Sequence, residues 1–243
     1  MPRWKSDPGR KGTRVHPTAA AAVIFCHGSG DTGPGVREYL AAVGNPEARL
    51  RQSGIELHCP SAAPIPYRLA GGQISSVWFD RYALEPSAPE HVESIAASVR
   101  QLHALMDALV AKGIPPARIA LGGFSMGGGI ALQAGFRYHS RLGAVFALSS
   151  FACEGSELFN IARSSASPPP VFMRHGAADD FILPSWGSAT AEQLRAVGVD
   201  VDFGTVPGLP HAMVTHEATE LFEWVTAKLT VEDPPAPANP ETC

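Results

Sequence analysis

Gly123-Phe124-Ser125-Met126-Gly127 follows the apolar run at 119–121 and precedes a helical stretch. A serine at such a strand-to-helix turn is held in a strained backbone geometry with its hydroxyl exposed, and the positions two before and two after it must be small. Gly123 and Gly127 meet that demand, so Ser125 reads as a nucleophile on an elbow. With 24 glycines in the chain, composition alone can supply this pentapeptide, and its meaning rests on partners. A serine hydroxyl is a weak nucleophile at neutral pH and needs a general base that is itself oriented by a carboxylate. In sheet enzymes with this elbow the chain order is Ser, then Asp or Glu, then His, each on a loop after a strand. The apolar stretch 171–174 leads into His175-Gly176-Ala177-Ala178-Asp179-Asp180, and 201–206 leads into Pro207-Gly208-Leu209-Pro210-His211. Asp180 competes with Asp179 for the carboxylate role. His216 competes with His211 for the base, and placement on a connecting loop favours His211.

An acyl-transfer site also needs donors for the developing oxyanion. The backbone N–H of Met126 is one, and the second comes from the loop after the first strand, His27-Gly28-Ser29-Gly30-Asp31-Thr32-Gly33, where Ser29 is the expected donor. His27 reads as a brace for that loop. The same loop matches the dinucleotide pattern Gly28-x-Gly30-x-x-Gly33, with Glu56 near the ribose-binding position. Asp31 would set a negative charge against a pyrophosphate, and Pro34-Gly35 delays the helix whose N-terminus should hold it. His16, His58, His91, His103 and His139 are scattered without ligand spacing. Neither a cofactor nor a metal is expected.

The elements that must position these residues follow from periodicity. Stretches 20–26, 55–59, 118–124, 143–148, 171–174 and 201–206 read as strands, and helical segments at 36–52 (divided by Pro46), 92–110, 126–138, 185–197 and 216–229 lie between them. Ser87-Ala88-Pro89-Glu90 has the form of a capping box for the helix after it. The stretch 60–89 is rich in Pro and Gly and reads as a long loop of the functional kind. Its Trp78-Phe79 pair either packs on the core or walls a ligand pocket. Apolar strands joined by helices imply an α/β fold: a mostly parallel sheet covered on both faces.

Composition limits the rest. The 243 residues suit one large domain, 45% hydrophobic and 17% charged, and a net charge of -4 argues against nucleic acid as partner. The basic residues Arg3, Lys5, Arg10, Lys11 and Arg14 mark residues 1–18 as a disordered arm able to touch an anionic membrane surface. The folded domain is expected at 19–230 and a Pro-rich disordered tail at 231–243. No stretch is long enough to span a bilayer. Cys26, Cys59, Cys153 and Cys243 show no paired spacing and are expected as reduced thiols in a cytoplasmic protein.

Taken with these motifs, the chain resembles the acyl-protein thioesterase and lysophospholipase-like (phospholipase/carboxylesterase) family of α/β-hydrolases. The likeness runs from about residue 23 to 229 and rests on the 27–33 loop, Val77-Trp78-Phe79-Asp80, the glycine-flanked elbow 122–128, the stretch 175–179 and Pro207-Gly208-Leu209-Pro210-His211. Gly71-Gly72-Gln73-Ile74 and Phe181-Ile182-Leu183-Pro184-Ser185-Trp186 look closest to the lysophospholipase-like branch. The resemblance implies an α/β-hydrolase fold with a minimal cap and a Ser125–Asp179–His211 triad with Ser29 and Met126 as oxyanion donors. It implies hydrolysis of carboxylic esters or of thioesters, including small esters, lysophospholipids and S-acylated proteins. Ser29 and Met126 stand where the family's thioesterases usually have Leu and Gln, which favours short-chain esters over long-chain depalmitoylation. Leu69, Ile74, Trp78 and Leu183 are the expected acyl-binding side chains. The rival reading is a non-catalytic ligand receptor built on the same fold; a dienelactone-hydrolase-like enzyme is a lesser alternative, since its nucleophile is usually Cys.

Overall fold

The structure, a computed structural model, describes residues 20–230; the expected basic arm and Pro-rich tail lie outside the described residues. Six parallel strands form the central sheet: β1 (Ala21–Cys26), β2 (Ile55–His58), β5 (Ile119–Phe124), β6 (Ala144–Leu148), β7 (Val171–Gly176) and β8 (Val201–Val206), in the spatial order β2-β1-β5-β6-β7-β8. Every residue of β1, β6 and β7 is buried, as strands covered on both faces must be. Alternate β1 side chains serve opposite layers. Ala22, Ile24 and Cys26 pack with α3 (Val92–Ala111), α4 (Met126–Arg137), α5 (Leu158–Ser164) and α6 (Pro184–Ala196), while Ala21, Val23 and Phe25 pack with α1 (Gly33–Ala42), α2 (Pro46–Gln52) and α7 (Thr215–Thr230).

Three features of the chain differ from the sequence expectation, the first being α5 between β6 and β7, where no helix is expected. The stretch read as a loop contains an antiparallel hairpin, β3 (Pro64–Tyr67) and β4 (Gln73–Ser76), outside the main sheet. Its Pro64 and Pro66 are tolerated because the pair forms a separate two-stranded ribbon with free edges. The expected capping box does not form. Glu90 is extended in a bridge to Arg81 and its carboxylate accepts from Gln133 Nε2 at 2.6 Å, so it cannot fold back on Ser87. Instead His91 caps α3, its ring nitrogen accepting from the Ser94 N–H. Beyond the cap, Ile95, Val99, Leu102, Met106 and Leu109 recur on the buried face. Truncating Leu102 or Met106 to Ala would cost about 2–5 kcal/mol by cavity formation.

Because all six sheet strands run the same way, their C-terminal ends lie along one edge, where open α/β sheets bind ligands. The loops leaving β1, β5, β6, β7 and β8 carry Ser29, Ser125, Ser149, Asp179 and His211 respectively. Between β6 and β7 the chain holds only α5 and short loops, so no large cap covers that edge.

Candidate active site

Ser125 sits between β5 and α4 with φ 55 and ψ −122, a left-handed conformation that a non-glycine residue adopts only when its surroundings hold it there. Its own N–H donates to the Leu148 carbonyl at 2.8 Å. A Cβ at Gly123 or at Gly127 would run into the Cys26 carbonyl of β1, so the two glycines let the elbow press against the neighbouring strand. Local sequence thereby fixes the hydroxyl at the sheet edge.

His211 Nε2 lies 3.0 Å from Ser125 Oγ, and His211 Nδ1 lies 2.7 Å from Asp179 Oδ2. Asp179 is buried, whereas Asp180 is exposed, as is His216 in the first turn of α7. Geometry thus brings Ser125, Asp179 and His211 together and leaves the two competing residues outside. The second Asp179 oxygen accepts from the Phe181 and Ile182 N–H groups at 3.1 and 2.9 Å, which fixes the loop after β7. The His211 ring is flanked by Phe124 and Phe181, with centroids 4.8 and 5.1 Å away.

A second imidazole faces the same carboxylate. His175 Nε2 is 3.4 Å from Asp179 Oδ2, but it donates to the Ile182 carbonyl at 2.8 Å. Burial lowers its pKa, so the ring is a neutral prop for the Asp179 loop. His27 is a comparable prop beneath the other side. Its Nδ1 donates to the Gly28 carbonyl at 2.7 Å, its Nε2 accepts from the Ala62 N–H at 3.0 Å, and burial lowers its pKa. These bonds brace the loop that carries Ser29, in the way the sequence leads one to expect. Ser29 and Met126 line one cavity with Ser125, and among the described residues neither backbone N–H has a protein partner.

That cavity has a volume of about 340 Å³. Of the four expected acyl-binding side chains only Leu69 lines it. Trp78 lies in the core beneath the Ser29 loop, 1% exposed, with its indole N–H donating to the His27 carbonyl at 2.9 Å. Ile74 projects from the β3–β4 ribbon, 67% exposed, and Leu183 flanks the start of α6, 41% exposed. The wall is formed instead by Tyr67, Arg81, Leu84, Phe151, Phe181 and Ile182. Sequence reasoning does not single these out, because they come from four separate segments whose meeting is a tertiary event. For Arg81 alone there is a local signal, its place directly after Trp78-Phe79-Asp80.

The chain and its fold have known counterparts. The phospholipase/carboxylesterase family model matches residues 14–228. Lysophospholipase-like protein 1 of Mus musculus is 36% identical over 221 residues, covering 90% of this chain and 92% of the mouse protein. Acyl-protein thioesterase 1 of Gibberella zeae is 33% identical, covering 91% of this chain and 97% of its own. Among solved structures, Zea mays acyl-protein thioesterase 2 superposes with a TM-score of 0.74 at 28% identity, covering 89% of this chain and 97% of its own. Arabidopsis thaliana SOBER1 superposes with a TM-score of 0.77 at 26% identity, covering 86% of this chain and 99% of its own. With a family model spanning most of its length, the chain belongs to the phospholipase/carboxylesterase family of α/β-hydrolases.

Proposed function

We propose that the protein is a serine hydrolase of carboxylic esters and thioesters that works through an acyl-enzyme on Ser125. The observation that carries this reading is the chain of contacts from Asp179 through His211 to Ser125, 2.7 and 3.0 Å long, beside two unpartnered backbone donors. His211 takes the Ser125 proton as Oγ attacks the substrate carbonyl, and the Ser29 and Met126 N–H groups receive the oxyanion. His211 then gives that proton to the departing alkoxide or thiolate. Water, activated by His211, cleaves the acyl-enzyme and restores Ser125. Asp179 keeps His211 in the tautomer that presents Nε2 to the serine.

A cavity of about 340 Å³ is near the lower end of the roughly 300–1,000 Å³ usual for small-molecule sites, which supports short acyl groups over long ones. The edge without a large cap accommodates bulky leaving groups, with room for an acyl acceptor as large as a protein. No described helix is long and apolar enough to cross a membrane. The test is a series of 4-nitrophenyl esters and matched thioesters of rising chain length. Activity should peak at short acyl groups and vanish in Ser125→Ala; hydrolysis unchanged by that substitution would remove Ser125 as the nucleophile, and no hydrolysis by the intact protein would return it to the ligand-receptor reading.

A further inference from the structure

Two arginines near this edge are equally buried and differently partnered. Arg174, 9% exposed, stacks over Phe172 at 4.1 Å and holds both Asp202 and Glu220, at 2.9 and 2.5 Å. Arg81, 8% exposed, is sandwiched between Phe79 and Phe151, with ring centroids 4.6 and 4.9 Å from Cζ. Among the described residues the Arg81 guanidinium makes no ion pair and no hydrogen bond. Asp80 binds Arg68 Nε at 2.7 Å, and Glu90, which attracts Arg81 through space, gives a carboxylate oxygen to Gln133 at 2.6 Å and makes no direct bond to the guanidinium. A buried cation is costly unless an anion reaches it, and Arg81 lines the acyl cavity together with Ser125, besides a much tighter cleft that Glu90 also lines.

A pocket for plain hydrocarbon gains nothing from a guanidinium in its wall. The side of the reaction served by this cavity follows from what lines it. Ser125, Ser29 and Met126 do, and His211 does not. The leaving group must lie against His211 Nε2 to receive its proton, so the cavity takes the acyl part.

We propose that Arg81 is an anion subsite in the acyl cavity, receiving the terminal carboxylate of a short dicarboxylic acyl group. The preferred substrates are then hemiesters or hemithioesters of short diacids. Each turnover consumes one water and releases the diacid and an alcohol or thiol. This inference rests on the hydrolase reading above, and Arg81 acts in it as a specificity residue. A planar, permanently charged guanidinium pre-set between two rings offers paired donors to a carboxylate.

The test compares 4-nitrophenyl hemisuccinate and hemiglutarate with the butyrate and pentanoate esters of matching length. In the intact protein kcat/KM should favour the charged member of each pair by about tenfold or more, as expected for a charge-assisted contact. Arg81→Gln should abolish that preference, and Arg81→Lys should retain part of it. Glutarate should bind the intact protein in calorimetry while glutaramide does not, and Arg81→Gln should lose that binding; this arm needs no turnover and stands if the hydrolase reading fails. Turnover of the neutral esters at equal or higher kcat/KM, with no binding of glutarate, would overturn the subsite and leave Arg81 as a packing residue. Loss of turnover for all four esters with glutarate still bound would instead overturn the hydrolase reading alone.

Discussion

The reacting end of the site and the wall of its acyl cavity are built in different ways. Around Ser125 every constraint is local or one strand away: a left-handed turn, two glycines against Cys26, and a helix beginning at the next residue. The cavity wall is assembled from the β3–β4 ribbon, the 77–91 stretch, the loop after β6 and the loop after β7. The nucleophile is thus held by short-range geometry, whereas its partners Asp179 and His211 and the specificity of the cavity wall come by long-range assembly. Substitutions at the reacting end should damage all substrates alike, and substitutions at the wall should change their ranking.

The largest effect belongs to the reacting end. Ser125→Ala should lower kcat by about 10⁴-fold or more for every ester, and Asp179→Asn by about 10⁴ through the wrong His211 tautomer; steady-state rates across the ester series check both. Next, Ser29→Pro deletes one proposed oxyanion donor and should cost about 10²–10³ in kcat, with circular dichroism verifying that the fold survives. An equal loss for Ser29→Ala, which keeps the N–H, would contradict the backbone role. At the cavity wall, Leu84→Trp should reduce butyrate turnover about tenfold relative to acetate by filling space. Equal losses on both esters would erase the distinction between the two ends.

A remote position supplies the control. Glu217, fully buried at the start of α7, has its pKa pushed up to about 7 by burial, against the pull of the Val214 N–H and Arg174. The folded chain then keeps a proton that the unfolded chain releases near the ordinary value of 4.5. Stability should therefore fall as pH rises from about 4.5 to 7 and level off above that. Glu217→Gln should remove the fall and be more stable than the parent at pH 8 by at most about 3 kcal/mol, read from urea unfolding at several pH values. The ranking of esters should not move.

The same division explains what could be read from the chain alone. Ser125 was legible because small residues at fixed offsets are a backbone requirement, and the place of Met126 and Ser29 beside it because that follows from chain position rather than side chain. Strands β1 and β6 were legible because full burial makes them uniformly apolar. Asp179 and Asp180 are neighbours of one type, and only the turn after β7 decides that the first faces inward. The β3–β4 ribbon was hidden by Pro64, Pro66, Gly71 and Gly72, which in isolation signal a loop. Trp78 drew attention as an aromatic in that region, yet its indole N–H is spent on the His27 carbonyl. Arg81 stands out in the sequence only by its place after Trp78-Phe79-Asp80, and its burial without a bonded carboxylate is visible only once Phe79 and Phe151 close over it.

The central claim is a covalent acyl group on Ser125. It is tested most directly by mixing the protein with 4-nitrophenyl butyrate, quenching in acid during the first turnover, and mapping the peptides by mass spectrometry. The account predicts one butyryl group on the peptide containing Ser125, formed with a stoichiometric burst of nitrophenol and lost on further incubation. Ester hydrolysis with no acyl group on that peptide, or with the group on another residue, would contradict it.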